Sequence, residues 1–271
     1  MSLKYTIKNW MLRKYKNKEI SYDERKKLQV DILREVDTFC RTHDIRYCLA
    51  YGTLLGAVRH KGYIPWDDDI DIHMPYPDMI KFKNEFKSDK YMYVDADNYK
   101  HFTFFFSRVI DKRTFTTGLF AFKKHDYGVC IDLYPVLGLP KSSKDTDAFI
   151  QELALWNKKE CRVHSLQNRF NGRMPFSIYP LDRIIEEGRN LYFKYPYEGA
   201  TKWFGGAATP YYDKVFDFDM FDNPIDMNFE DYRFLVPKEY DKYLTLNYGN
   251  YMQLPPEEKR VPAHPRICYW K

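Results

Sequence analysis

The sequence predicts an α+β protein: a mixed sheet flanked by helices, with a helical, aromatic-rich C-terminal elaboration. Three observations lead there. Residues 21–41 carry a capped amphipathic helix, and residues 45–74 read as strand, turn, short helix and strand in quick succession. Apolar, aromatic and β-branched runs then recur near 102–110 and 129–134, before the pattern turns helical beyond residue 146.

Taken in order, Ser21 followed by Glu24 forms a capping box, and Leu28, Ile32, Val36, Phe39 and Cys40 repeat at helical spacing behind it. Ile45 to Ala50 is a short apolar strand, Tyr51-Gly52-Thr53 a tight turn, and Leu54 to His60 a short helix that ends near Gly62. After Pro65-Trp66, the run Asp67-Asp68-Asp69-Ile70-Asp71-Ile72-His73-Met74 alternates polar and apolar from residue 69, which makes a strand with one acidic and one apolar face. Phe102–Ile110 and Val129–Tyr134 supply further strands, the second opened by Gly128 and closed by Pro135. Residues 146–165, 182–195 and 237–247 read as helices, the last with Pro237 at its start and Gly249 past its end. No linker divides the chain, so residues 21–271 are expected to form one domain, with a core at about 21–140 and an elaboration at about 141–271.

The balance of 43 Lys and Arg against 38 Asp and Glu, with 44% hydrophobic residues, excludes a disordered chain. No apolar run approaches the roughly 18 residues of a membrane span, and no apolar stretch follows the basic start as in a signal peptide, so a cytoplasmic protein is expected. The five cysteines are odd in number and carry no CxxC pair, which argues against a disulfide framework and a zinc site; Cys48 and Cys130 should be buried thiols. The net charge of +5 resides in residues 1–20, where Lys4, Lys8, Arg13, Lys14, Lys16 and Lys18 oppose Glu19 alone. A nucleic-acid footprint would spread over a face, so no nucleic-acid partner is expected. Interleaved with Tyr5, Ile7, Trp10, Met11, Leu12 and Tyr15, these cations suit either a helix lying on the anionic inner face of the cell membrane or one docked on the domain.

Chemistry concentrates at the acidic strand. Asp69 and Asp71 project from one face, where two neighbouring carboxylates repel unless a cation intervenes. A hard divalent ion such as Mg²⁺, or Mn²⁺ in its place, prefers such oxygens together with phosphate. Asp67 shares their parity, and Asp68 lies in the approach turn. Gly52-Thr53 adds backbone amides and a hydroxyl at a helix N-terminus, suited to phosphate oxygens. Asp132, on a later strand, is the third acid, able to complete the metal site and to take a proton from an attacking hydroxyl.

Two stretches resemble the LicD family of phosphocholine transferases, related to the fukutin-related ribitol-phosphate transferases. The first is Tyr51-Gly52-Thr53-Leu54-Leu55-Gly56-Ala57-Val58-Arg59-His60 with Ile64-Pro65-Trp66-Asp67-Asp68-Asp69-Ile70-Asp71-Ile72. The second is Tyr248-Gly249-Asn250-Tyr251-Met252-Gln253-Leu254-Pro255-Pro256 with Lys259, Arg260 and His264. The resemblance implies a nucleotidyltransferase-like fold with Asp69 and Asp71 as metal ligands and Asp132 as third acid; 15 residues separate Thr53 from Asp69, slightly more than the usual spacing. It also implies transfer of a phospho-alcohol from a CDP-linked donor, CDP-choline first, to a hydroxyl of a cell-surface glycan precursor that is lipid-linked, of teichoic acid, lipopolysaccharide or capsule type, with CMP leaving. Tyr51, Gly52, Thr53, Arg59, Trp66, Lys259, Arg260 and His264 are the expected donor contacts, with Trp66 the first candidate for the choline cage. Ribitol, glycerol or ethanolamine phosphate donors remain open, as do an NTP-dependent nucleotidyltransferase that releases pyrophosphate and a binding protein without activity.

Overall fold

The computed structural model describes residues 18–99, 104–117, 128–169, 181–205, 215–262 and 267–271. Most of the basic segment 1–20, and His264, therefore lie outside the described residues. The first long helix, α1 (Tyr22–Thr42), begins where predicted: the Ser21 hydroxyl accepts the Glu24 N–H at 3.2 Å, and Asp23 and Glu24 place negative charge on the helix's positive end. Its face of Ile32, Leu33, Val36 and Cys40 is fully buried against the sheet.

The strands are β1 (Glu19–Ile20), β2 (Cys48–Leu49), β3 (Asp71–Pro75), β4 (Tyr91–Val94), β5 (Ser107–Asp111), β6 (Thr114–Thr117), β7 (Cys130–Gly138), β8 (Trp203–Gly205), β9 (Val215–Phe216), β10 (Ile225–Phe229), β11 (Tyr232–Val236) and β12 (Ile267–Trp270). The further helices are α2 (Tyr51–His60), α3 (Tyr76–Glu85), α4 (Ser143–Arg169), α5 (Leu181–Tyr192) and α6 (Tyr240–Tyr248). The central sheet runs β2-β3-β7-β5-β4, with β8 and then β9 joined along the second half of β7. Among the described residues, only β3 and β7 pair in parallel within it. A small sheet, β1-β12-β6, ties the described ends of the chain together through Glu19 opposite Tyr269.

Several predicted elements shift for identifiable reasons. The strand expected over 45–50 shrinks to Cys48–Leu49, because the chain enters α2 at once and Tyr51-Gly52-Thr53 is that helix's first turn. The acidic strand begins at Asp71, leaving Asp69 in the approach, and the strand expected from Phe102 begins at Ser107. The strand expected to stop at Pro135 continues to Gly138. The Asp132 N–H points to Ile70 of the β3 side at 2.8 Å, so by alternation the Pro135 nitrogen faces the opposite neighbour. There β5 pairing ends at Leu133 and β8 pairing starts at Val136, so the missing N–H falls in the gap. The C-terminal third also holds strands β8 to β12 that the helical reading missed. A second apolar cluster, with Leu137, Phe149, Trp156, Ile184, Tyr192 and Phe204, packs α4 and α5 on this extension of β7. Cys40, Cys48, Cys130 and Cys268 are buried free thiols.

Candidate active site

The two parallel strands set the site. Ile70 and Ile72 are fully buried on one face, which turns Asp71 to the other, and the register places Asp71 directly beside Asp132. Helix α2 is stapled to the start of β3 by two hydrogen bonds. The Ala50 N–H donates to the Asp71 carbonyl at 3.0 Å, and the Asp71 N–H donates to Thr53 Oγ1 at 2.9 Å. Thr53, expected to face phosphate, is buried, and its oxygen is used to hold Asp71. Gly52 faces the acids instead: a Cβ there would sit 2.6 Å from Asp67 Oδ2.

Asp67, Asp68 and Asp69 each offer a carboxylate oxygen within 4.8 Å of the others. Their environments differ. Asp68 is paired at 3.4 Å with Arg25 of α1, both side chains buried. Asp67 is pushed up to about 7, first by burial and then by Asp69. Asp71 is pushed well above the carboxylate range by burial and by Asp69, Asp132 and Asp67, with Arg108 pulling the other way. Its Oδ1 is buried without a hydrogen-bond partner among the described residues. An orphaned oxygen among mutually repelling hard carboxylates fits a divalent cation such as Mg²⁺ or Mn²⁺.

Asp132 has a different partner. Arg108 of β5, opposite it in the sheet, grips both its oxygens, Nε at 2.7 Å and an NH at 3.2 Å. Sequence reasoning missed Arg108 and Arg25. The signal for Arg108 was present, since Phe104, Phe106 and Arg108 alternate and the guanidinium lies over both rings at 5.6 and 5.2 Å. One step along the strands from the acids, the register sets His73 beside Tyr134. Their rings meet Tyr51 at 4.9 and 5.3 Å, and Tyr243 lies 5.9 Å from His73. Burial pushes His73 down to about 3, so its imidazole is neutral at physiological pH. Tyr51 itself has φ of 41°, unusual for a side chain of that size, and its N–H donates to the Tyr243 hydroxyl at 3.2 Å.

The two resembling stretches meet in space. Arg59 donates to the Tyr251 carbonyl at 2.6 Å, so it clamps the C-terminal stretch where a phosphate contact was expected. The Arg260 guanidinium lies 5.5 Å from the centre of the Trp66 ring, and His60 packs edge-on to the same ring at 6.2 Å. Lys259 is exposed on a short 3₁₀ turn, Glu257–Lys259, whereas His264 is outside the described residues.

Residues 44–178 match the family described as LicD/FKTN/FKRP, nucleotidyltransferase domain. The chain is 28% identical over 269 residues to the lipopolysaccharide cholinephosphotransferase LicD of Haemophilus influenzae, covering 93% of this chain and 99% of that protein. The chain belongs to the LicD family. Shorter similarities reach two uncharacterised Rickettsia proteins. One, from Rickettsia typhi, is 39% identical over 67 residues, 24% of this chain and 22% of that protein. The other, from Rickettsia prowazekii, is 43% identical over 49 residues, 18% of each. The matched LicD domain holds α2, β3 with its acidic approach, β5 and β7, hence Gly52, Asp69, Asp71, Arg108 and Asp132, while Arg25 and Arg260 lie outside it. The described architecture is mixed α and β, and no described helix is long and apolar enough to cross a membrane.

Proposed function

We propose that this LicD protein transfers phosphocholine from CDP-choline to a hydroxyl of a cell-surface glycan precursor, releasing CMP. What carries the reading is the similarity to a lipopolysaccharide cholinephosphotransferase along nearly the whole of both chains. The chemistry of the acids agrees with it. Phosphoryl transfer needs alignment of the attacking oxygen and stabilisation of charge on the leaving group, with little covalent help from the protein. Asp69 and Asp71 are the residues that would hold Mg²⁺ or Mn²⁺. When bound, the ion supplies charge neutralisation for the donor diphosphate.

The chain's own residues do the rest. Gly52 keeps the space before Asp67 open, and Thr53 fixes the backbone of Asp71. Arg108, by gripping both Asp132 oxygens, gives Asp132 an orienting and charge-holding role beside Asp71, in place of the proton-accepting role the sequence suggested. Asp67, whose carboxylate lies within 4.8 Å of that of Asp69, adds to the negative charge that a cation there would offset. Arg260 and Lys259 approach from the C-terminal stretch to line the donor side, next to Trp66.

The acceptor in this reading is lipid-linked, and residues 1–20 contact the membrane surface that carries it. Deleting residues 1–20 should weaken binding to anionic vesicles and leave turnover of a soluble acceptor intact; unchanged vesicle binding would remove that contact. The decisive experiment is product release from CDP-choline with Mg²⁺, with and without a glycan acceptor extract. Acceptor-dependent CMP supports the transferase. Turnover of CDP-ribitol, CDP-glycerol or CDP-ethanolamine alone would move the donor, and pyrophosphate from an NTP would replace the reaction.

A further inference from the structure

The geometry points to the corner formed by Tyr51 and Tyr134, and away from Trp66, as the seat of the donor's quaternary ammonium headgroup. The inference rests on the phosphocholine reading and names the subsite that reading leaves open.

Strand geometry supplies the first argument. Asp71 and Asp132 are partners in the β3–β7 register, and His73 and Tyr134 are the next partners on the same face. Two residues of strand advance about 6–7 Å. That matches the reach of a two-carbon spacer, so a headgroup carried on a phosphate held at the acids can reach Tyr134.

The second argument is what that position offers. Tyr134 and Tyr51 meet edge to face at 5.3 Å, and both are half-buried, so part of each side chain reaches solvent. The Tyr51 hydroxyl is buried towards Gly205, where a Cβ would lie 3.4 Å from it, which anchors the tip of the side chain and fixes the ring edge to face with Tyr134. A residue this large in the left-handed region is unfavourable, and the surroundings hold it there, which is the usual mark of a side chain aimed for a purpose. The row of rings continues from Tyr134 to Phe106 at 4.8 Å and to Phe104 at 4.9 Å. Arg108 lies over Phe104 and Phe106 at the far end of that row.

The third argument removes the rival. Trp66 has the Arg260 guanidinium over its ring and His60 at its edge, so a cation of the protein stands where the headgroup would go. A trimethylammonium group has no N–H and takes its attraction from ring faces and nearby negative charge. The Tyr51–Tyr134 corner next to Asp71 offers both.

Calorimetric titration of the full-length chain with phosphocholine and with phosphoethanolamine, in Mg²⁺, tests this without relying on turnover. Wild type is expected to prefer phosphocholine. Tyr134→Leu and Tyr51→Leu should each cut phosphocholine affinity by about tenfold with little change for phosphoethanolamine, and Tyr134→Phe should restore the preference. The preference should persist in Trp66→Leu. Thermal melts of each variant separate a lost site from a lost fold, and the two leucine variants lie on different elements. A preference that survives both leucine variants, one that disappears only in Trp66→Leu, or no phosphocholine binding by wild type would overturn the assignment. Tyrosine-dependent phosphocholine binding without CMP release from CDP-choline would leave the subsite standing and sink the transferase reading; CMP release with the preference intact in both leucine variants would do the reverse.

Discussion

Replacing Asp69 by Asn should stabilise the metal-free protein at pH 8 while abolishing its activity, a combination that few explanations other than carboxylate repulsion produce. The Asp67 and Asp69 oxygens lie within 4.8 Å of each other. Two like charges at that separation repel by roughly 3 kcal/mol at an effective dielectric of about 20. The rise of Asp67 from 3.8 to about 7 sets a ceiling on the whole effect at that residue, about 4 kcal/mol, of which burial is the larger part. The share due to Asp69 is then roughly 1–2 kcal/mol. The sign follows from linkage. A carboxyl whose folded pKa is raised contributes stability that is fully present below the unfolded pKa and is lost as pH rises through about 7. At pH 5 Asp67 is protonated, so wild type and variant should melt together. At pH 8 in EDTA the variant should melt higher, by about 2–4 °C for each kcal/mol in a chain of this size. Added Mg²⁺ should raise the melting temperature of wild type and leave the variant nearly unmoved. CMP release from CDP-choline should fall by about two to three orders of magnitude. A variant less stable than wild type at pH 8 without metal would refute the claim that these acids oppose each other.

Three further substitutions read neighbouring contacts. Gly52→Ala should leave the melting temperature nearly unchanged, since alanine favours a helix, yet its Cβ displaces the Asp67 carboxylate; Mg²⁺ affinity, followed by calorimetry, should drop ~10-fold. Thr53→Val removes the acceptor for the buried Asp71 N–H and should cost about 1–3 kcal/mol in urea unfolding, with Thr53→Ser recovering most of it. Arg108→Met leaves Asp132 buried without its partner and should cost about 3–5 kcal/mol in urea unfolding; a double variant Arg108→Met, Asp132→Asn that is no more stable than Arg108→Met alone would show that packing, not charge, is the cause.

Local signals carried the legible part of this protein. The Ser21 cap, the period of α1 and the apolar face of Ile70 and Ile72 are decided within a few residues, and each is present in the structure. The neighbourhood of Gly52 and the acids was legible for the same reason, although Thr53 turned out to support Asp71 from behind. What the sequence concealed depends on partners distant in the chain. Pro135 reads as a strand end because a proline lacks a donor, and only the arrangement of β5 and β8 makes that donor unnecessary. Strands β8 and β9 are two or three residues long, too short to carry a period, and exist because β7 offers an edge to pair with. Arg25 looked like any cation on an amphipathic helix until α1 packed it against Asp68, 43 residues away in sequence. Arg59 resembled a phosphate contact, and the fold has it donate to the Tyr251 carbonyl, joining the two stretches on either side of the site.

The placement of arginines explains why five neighbouring acids are not equivalent. Burying a carboxylate stabilises a fold only if it is paired, and α1 and β5 each deliver one guanidinium, Arg25 to Asp68 and Arg108 to Asp132. Asp68 sits between Asp67 and Asp69 in sequence, and Asp132 sits beside Asp71 in the sheet. At Asp71 burial and three neighbouring carboxylates push the proton affinity up, and Arg108 pulls it down. The chain therefore gives Asp68 and Asp132 a guanidinium each and leaves Asp67 and Asp71 crowded by like charge at a point fixed by the β3–β7 register and by Thr53. A fold selected for stability alone would have supplied a third cation or removed an acid. Leaving the excess in place weakens the metal-free state and makes the same position attractive to a divalent ion, so the instability tested with Asp69→Asn and the catalytic capacity are two consequences of one arrangement of charge.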